Sequence, residues 1–128
     1  MEIQKKISLL KPEVHEKGWG KEVWVINFPY YCMKFLHFKK GKRGSMHFHV
    51  DKHETWYIQE GKLKVTSINT EDASNTHFIL VKGDVIDIPI LNPHQVEALE
   101  DSIIVEVSTQ HFEDDSYRVL PGDSQNKK

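Results

Sequence analysis

The stretch that decides the fold covers residues 41–61 and reads GKRGSMHFHVDKHETWYIQEG. It begins and ends on glycine turn signals, and two short runs rich in β-formers lie between them, which predicts a hairpin of strands. Because successive side chains of a strand point to opposite faces, His47 and His49 project to the same side. Glu54 begins the next strand, and the hairpin places its carboxylate beside the two imidazoles. These three side chains offer the donors of a divalent-metal site.

The rest of the chain repeats this pattern of short strands and turns. Further strands are predicted over residues 22–27, 30–38, 62–68, 77–81, 85–88, 94–99 and 103–107. Only residues 113–117 could form a helical turn. The regular spacing predicts an all-β fold, an antiparallel sandwich or barrel. His94 follows a turn-rich segment, which can bring it from another strand to the same site as a further ligand.

The amino-acid composition limits the partners, the compartment and the number of domains that this chain is expected to have. The chain has 128 residues, a net charge of -2 and eight histidines, and Cys32 is its single cysteine. The balanced charge predicts no nucleic-acid partner and no membrane partner. A lone cysteine and an N-terminus too short and polar for a signal peptide favour a cytoplasmic protein. We expect one barrel domain over residues 1–120, its N-terminal strands (1–40) packing on the barrel or on a dimer partner, and a flexible tail over 121–128.

Two groups of residues resemble the motifs of the cupin superfamily. All five positions of the first motif match, at Gly41, His47, His49, Glu54 and Gly61. The second motif matches at Gly83, Pro89 and His94 but has Leu91 where it expects its middle glycine and Ala98 where it expects its final asparagine. Both departures concern turn or structural positions, so the ligand set is complete.

The resemblance implies a single jelly-roll β-barrel that holds one metal inside. The implied ligands are His47, His49, Glu54 and His94, and the implied metal is Fe, Mn, Zn, Ni or Co. Four protein ligands leave up to two octahedral positions for substrate or water, as a catalytic site requires.

A narrower resemblance concerns the cupin-type (type II) mannose-6-phosphate isomerases. Residues 18–24 resemble their Trp-Gly opening, and the acidic residues 113–115 followed by Arg118 resemble their segment after the last core strand. The match implies a sugar-like small-molecule ligand. If that ligand is phosphorylated, Arg118 or Lys34 could hold the phosphate. For Arg118 the alternative is a surface salt bridge to a neighbouring acidic residue. We also expect a homodimer, because a partner commonly covers the sheet edges of such small barrels.

Other side chains are candidates for the pocket wall. Trp56 shares the face of Glu54 and either lines the pocket or belongs to the core. His37 lies on the same face of its strand as Met33 and Phe35, and it either points into the barrel or is an ordinary core or edge histidine. The remaining histidines, His15, His53, His77 and His111, are predicted to be surface or incidental residues.

Three functions are compatible with this site. The first is a metal-dependent isomerase or epimerase of a small sugar or sugar phosphate, in which a base moves a proton between neighbouring carbons. The sequence assigns no catalytic residue for that step; His37, Glu54 and Tyr57 are candidates, and Tyr57 is predicted to face away. The second is a non-haem iron oxygenase, and the third is a sugar-binding cupin module without catalysis.

Overall fold

The computed structural model describes residues 6–126, and its backbone is built from short strands. The strands in this part of the chain are β1 (Glu13–Lys17), β2 (Gly20–Asn27), β3 (Cys32–Phe38), β4 (Met46–Phe48), β5 (Glu54–Glu60), β6 (Lys62–Ile68), β7 (Asn75–Val81), β8 (Val85–Ile88), β9 (His94–Ala98), β10 (Ser102–Ser108) and β11 (Tyr117–Leu120). Within residues 6–126 no helix is long and apolar enough to cross a membrane. The all-β prediction is confirmed.

The strands form two antiparallel sheets. The six-stranded sheet has the order β1-β2-β3-β10-β5-β8, and the five-stranded sheet has the order β11-β4-β9-β6-β7. The alternation of polar and apolar residues in β6 predicts one buried face, and Leu63 and Val65 are fully buried there. The inner faces of the two sheets therefore enclose the core.

The core itself is a continuous apolar cluster with contributions from both sheets. Ile58 and Ile104 belong to the six-stranded sheet and Val96 to the five-stranded one. Trp19 closes one side by stacking on Phe38, with 3.9 Å between the ring centroids. This cluster supports the polar cavity described below, because it fixes the strands that carry the cavity's side chains.

Two strands, β1 and β11, were not predicted from the sequence, and β11 contributes a residue to the site. β1 pairs with β2 at the edge of the six-stranded sheet. Residues 113–117 form no helical turn: a tight turn, closed by the Asp115 N–H donating to Phe112 O, leads directly into β11. Because β11 pairs with β4, Arg118 lies opposite His47. The acidic residues before β11 mark the entry to a strand, not a helix.

The chain after β11 differs from the flexible tail that composition suggests. The Asp123 N–H donates to Arg43 O, and the Asp123 carboxylate accepts from the Arg43 N–H at 2.7 Å. The Gly18 N–H donates to Ser124 Oγ. A Cβ on Gly122 would lie 2.2 Å from the Gly44 backbone, so residues 122–124 pack closely against the barrel. Residues 127 and 128 lie outside the described part.

Candidate metal centre

The four predicted ligands come from both sheets. His47 of β4 and His94 of β9 are directly opposed in the five-stranded sheet. His49 follows immediately after β4, and Glu54 is the first residue of β5 in the six-stranded sheet. Since the two inner faces pack together, the sheets bring these four side chains to one place.

The distances between donor atoms suit a single ion. One ring nitrogen from each of His47, His49 and His94 lies within 4.8 Å of the others. Glu54 Oε2 lies 3.2 Å from His49 Nε2 and 3.6 Å from His94 Nε2. The carboxylate therefore lies at the edge of the three-histidine cluster, with an oxygen directed at two of its rings.

Main-chain carbonyls orient all three imidazoles. His47 Nδ1 lies 3.1 Å from Ser45 O, His94 Nδ1 lies 2.9 Å from Asn92 O, and His49 Nδ1 bonds Asp115 O. A carbonyl only accepts, so Nδ1 of His49 and of His94 carries the proton and their Nε2 atoms keep the lone pair. His47 Nδ1 also lies 2.9 Å from Ser45 Oγ, a hydroxyl that both donates and accepts. Metal-binding histidines are oriented in this way by a second hydrogen bond.

Two buried atoms at the centre of the cluster lack a partner. Glu54 Oε2 and His94 Nε2 are buried without any hydrogen bond to the described residues, whereas Glu54 Oε1 accepts from Trp56 Nε1 at 2.7 Å. Unpaired buried polar atoms are rare in proteins because they forfeit their hydration. A divalent cation would satisfy both atoms, so the donor set fits the metal that the sequence implies.

The protonation states also favour a cation. Burial, and after it the neighbouring His94 and His49, lower the pKa of His47 to about 3. Burial alone would raise the pKa of Glu54, but the positive charge of Lys52 and the neighbouring rings of His49 and His94 outweigh it and hold this pKa well below its usual value. At neutral pH His47 is therefore a neutral imidazole and Glu54 an ionised carboxylate, the forms that bind metals.

Behind Glu54 lies a buried ion pair that sequence analysis did not single out. Lys52 Nζ donates to Glu106 Oε2 at 3.1 Å and lies 4.0 Å from Glu54 Oε1. All three side chains are almost completely buried. Burial would lower the pKa of Lys52, but the two carboxylates outweigh it and raise this pKa. For Glu106, burial first and Glu54 second raise the pKa.

Asp115 is a second residue that the sequence did not reveal. Its buried carboxylate accepts hydrogen bonds from three consecutive backbone N–H groups, those of Val50, Asp51 and Lys52, at 2.7 to 3.2 Å. Its carbonyl also accepts from His49 Nδ1. Asp115 thereby fixes the loop between the histidine strand and Glu54.

The centre opens into a cavity of about 190 Å³ between the sheets. Its floor includes a row of inward-facing residues in register across four strands of the six-stranded sheet: Trp24, Lys34, Glu106 and Trp56. The sequence-predicted candidates Arg118, Trp56 and Lys34 all line this cavity together with the four predicted metal ligands. His111, predicted to be incidental, lines it as well, and its side chain is only 13% exposed.

His37 does not belong to this cavity, so the expectation that it binds substrate is corrected. On β3 the buried residues are Cys32, Lys34, Leu36 and Phe38. His37 has the opposite parity and lies on the outer face with Met33 and Phe35, because side chains alternate along a strand. The sequence grouped these three residues correctly but left open which face is inner. Tyr57 is 45% exposed and faces away as predicted.

Leu91 occupies the motif position where the cupin pattern has glycine, and its backbone has the conformation that glycine favours. Its φ is 65°, in the left-handed region. Its N–H donates to His49 O at 2.7 Å, so this strained turn helps hold the histidine loop. A left-handed residue with a side chain costs about 1–2 kcal/mol.

We expect Leu91→Gly to be more stable than Leu91→Ala by about 1 kcal/mol, the reverse of the usual order of these residues. Both variants lose the leucine side chain, which is 53% exposed, but only glycine removes the Cβ strain. Chemical denaturation of the pair measures the difference in the free energy of unfolding. An alanine variant as stable as the glycine variant would contradict the strained turn.

The family model and the similar solved structures agree with one another on the fold of this chain. A family model described as Cupin domain matches residues 34–111. Capsular polysaccharide assembling protein CapF from Staphylococcus aureus is 21% identical with a TM-score of 0.75, over 88% of this chain and 33% of that chain. Oxalate decarboxylase from Bacillus subtilis, in a variant form, is 17% identical with a TM-score of 0.77, over 91% and 34%. KdgF from Halomonas sp. is 22% identical with a TM-score of 0.61, over 73% and 81%.

These similarities establish the fold and leave the activity open, since all three identities are low. The chain spans about one third of the length of the CapF and oxalate decarboxylase chains. No curated protein sequence matches this one.

Proposed function

This chain belongs to the cupin domain family, and on that premise we propose that it binds one divalent transition metal and acts on a small sugar or sugar phosphate as an isomerase or epimerase. The observation that carries the proposal is the pair of unpartnered buried atoms, Glu54 Oε2 and His94 Nε2, inside a set of four converging donors. His47, His49, Glu54 and His94 would hold the ion. Bound there, it would supply Lewis-acid polarisation of a ligand oxygen.

The choice among metals is supported by the donor set and by one similar protein. Three imidazoles and one carboxylate without thiolate suit Mn, Fe, Co, Ni or Zn. A study of Bacillus subtilis oxalate decarboxylase, whose chain is 18% identical to this one, names Mn(II) centres in that enzyme. Manganese is therefore the first ion to test, with iron and zinc next.

The size of the cavity supports a small ligand. A volume of about 190 Å³ is below the roughly 300–1,000 Å³ of pockets that hold drug-sized molecules. CapF is described as a capsular polysaccharide assembling protein, which adds support for a carbohydrate-like ligand. Trp56 contributes an apolar wall beside Glu54, and Arg118 faces the cavity from β11.

Glu106 is the proton-transfer group that the sequence could not assign. Its carboxyl lines the cavity, and both hydrogen bonds that it accepts from described side chains, those of Lys52 and Ser108, end on Oε2. Glu106 Oε1 therefore accepts no hydrogen bond from a described side chain and is available to a ligand. Burial and the negative charge of Glu54 raise the pKa of Glu106, which brings a carboxyl closer to the value that suits a general base at neutral pH.

The experiment loads the protein with Mn, Fe or Zn in turn and incubates it with aldoses, ketoses and their phosphates in D2O. We expect isomerisation with uptake of deuterium at the carbon next to the carbonyl. Glu106→Gln should lower the rate about 10²- to 10⁴-fold at unchanged metal content, because glutamine keeps the hydrogen bond from Lys52 but cannot take a proton. Glu60→Gln, at an exposed position on β5, is the matched control.

Other outcomes would select the alternatives. Oxygen consumption by the iron-loaded protein would favour a non-haem iron oxygenase. Ligand protection against thermal unfolding without turnover would favour a sugar-binding module. Either result would refute the isomerase proposal.

We also propose that the partner in solution is a second copy of this chain. An apolar row crosses the outer face of the six-stranded sheet in register, at Val23, Phe35, Val105, Tyr57 and Val85. Tyr57 is 45% and Val85 is 65% exposed. A continuous apolar surface of this kind on a small protein marks an interaction site.

Light scattering should therefore give twice the chain mass, and Val105→Glu should give the mass of one chain because it places a charge in the middle of the row. Val81→Glu, on β7 of the other sheet and 46% exposed, should leave the mass unchanged. A monomeric native protein would contradict the dimer.

A further inference from the structure

Lys34 is a charged side chain in the cavity whose ammonium group lacks a hydrogen-bonding acceptor. Only 2% of the residue is exposed, and its nearest described carboxylate oxygen, Glu22 Oε1, is 3.8 Å away, longer than a hydrogen bond. That oxygen already accepts from Trp24 Nε1 at 2.8 Å. The amino group of this buried lysine thus lines a cavity and has no hydrogen-bond acceptor among the described residues.

The strand register explains how this lysine is held. Trp24 of β2 is the cross-strand neighbour of Lys34 on β3, and the ammonium lies 4.1 Å from the centroid of the indole ring. His111 packs edge-on against the same ring, with 5.1 Å between centroids. The aromatic face stabilises the positive charge without using its N–H groups. Lys34 is therefore held over the indole ring while its N–H donors have no acceptor among the described residues.

The overall charge of the cavity also favours an anionic ligand. Four basic side chains and four carboxylates line it, so these charges cancel. A divalent ion at the histidine cluster would leave the cavity positive. A neutral ligand would not offset that charge, whereas an anionic ligand would.

We propose that Lys34 and Trp24 form an oxyanion subsite on the opposite wall from the histidines, and that the ligand carries a carboxylate or phosphate group which accepts hydrogen bonds from Lys34. This subsite deepens the proposed function, on which it rests, by naming the charge of the substrate. Lys34 is then the residue that selects an acidic or phosphorylated sugar over its neutral counterpart.

The test uses three probes that share one sugar ring and differ at a single carbon: glucose, glucuronate and glucose 6-phosphate. Binding to the Mn-loaded protein is measured by calorimetry and by the NMR signal of the Trp24 indole N–H. We expect at least one anionic probe to bind more tightly than glucose and to shift that signal. A preference for glucuronate would identify a carboxylate ligand, and a preference for the phosphate would identify a phosphorylated one.

Two variants with opposite expected effects separate binding from structure. Lys34→Met keeps the length of the side chain and should weaken the anionic probes about 10- to 100-fold while leaving glucose binding unchanged. Glu22→Gln keeps an acceptor for Trp24 but removes the competing negative charge, so it should strengthen anion binding about threefold or more. Lys62→Met, on the exposed side of β6, is the control.

The metal content of each protein is measured in parallel. A wild-type protein that binds no metal would refute the proposed function itself. A metal-loaded protein that binds no anion, or that binds glucose as tightly, would overturn the subsite alone. Equal weakening of all three probes by Lys34→Met would also overturn it, because a structural role would act on every ligand.

Discussion

His49→Ala is expected to abolish metal binding. The wild-type protein should hold close to one equivalent of a divalent transition metal, and the variant none, because His49 supplies one of three converging imidazoles and lies 3.2 Å from Glu54. At a thousandfold excess over the dissociation constant, a bound metal stabilises the folded state by about 4 kcal/mol. That metal-dependent increase in melting temperature should disappear in the variant. Elemental analysis and thermal melting with and without added metal measure both effects.

The matched control is His53→Ala. His53 lies four residues further along the chain, in the loop before β5, but it is exposed and its Nε2 bonds Asp87 at the surface. This variant should keep both the metal content and the thermal shift. Metal binding that survives in His49→Ala, or a wild-type protein that purifies and remains free of metal when Mn, Fe and Zn are added, would be incompatible with the proposed centre.

Asp115→Ala is expected to lower the free energy of unfolding by about 3 kcal/mol or more, since three backbone N–H groups lose their common acceptor. The carbonyl that orients His49 stays in the chain but loses its anchor to the loop. Displaced orienting groups typically reduce metal affinity about 10- to 100-fold. Chemical denaturation of the metal-free protein measures the first effect, and competition with a chelator measures the second.

Asp114→Ala is the control for this change. Asp114 is exposed and adjacent in sequence, so its variant should stay within about 0.5 kcal/mol of the wild type. Asp115→Asn keeps one acceptor oxygen and should fall between the two. Equal stability of the Asp115 and Asp114 alanine variants would show that the three hydrogen bonds do not hold the loop.

Much of the architecture could be predicted because its signals are local. Alternation over β6 and the turn at Gly61 depend on neighbouring residues only, and both strands that flank this turn lie where expected. The spacing of His47 and His49 predicted their shared face for the same reason, because strand parity fixes which side chains lie on one side. The expected hairpin of the histidine strand with Glu54 was wrong: β4 and β5 belong to different sheets, and Glu54 meets the histidines because the inner faces of the two sheets pack together. His94 was placed by resemblance, and the structure brings it opposite His47.

The residues that sequence analysis missed are charged, and the usual expectation for charged residues is exposure. Lys52 and Glu106 are 54 positions apart, and only the pairing of β5 with β10 brings them together. Asp115 lies in an acidic run typical of a solvated turn, yet it is 3% exposed. Pairing between strands that are distant in sequence decides whether such groups are buried, and no local sequence pattern indicates that burial. The residues of β3 show the same limit. The alternation of side chains along the strand puts Lys34 and His37 on opposite faces, but it does not show which face is buried.

The ammonium group of Lys52 has a consequence for the folding of the metal-free chain. A buried Glu54 carboxylate without a counter-ion would strongly oppose folding of the metal-free chain. Lys52, held 4.0 Å from it and hydrogen-bonded to Glu106, supplies a permanent positive charge at that point. We therefore expect the newly synthesised chain to complete its barrel without an ion, unlike zinc fingers, whose folding requires the metal. Uptake of the ion would then be a separate, later event, governed by which metal the surroundings offer to the folded protein.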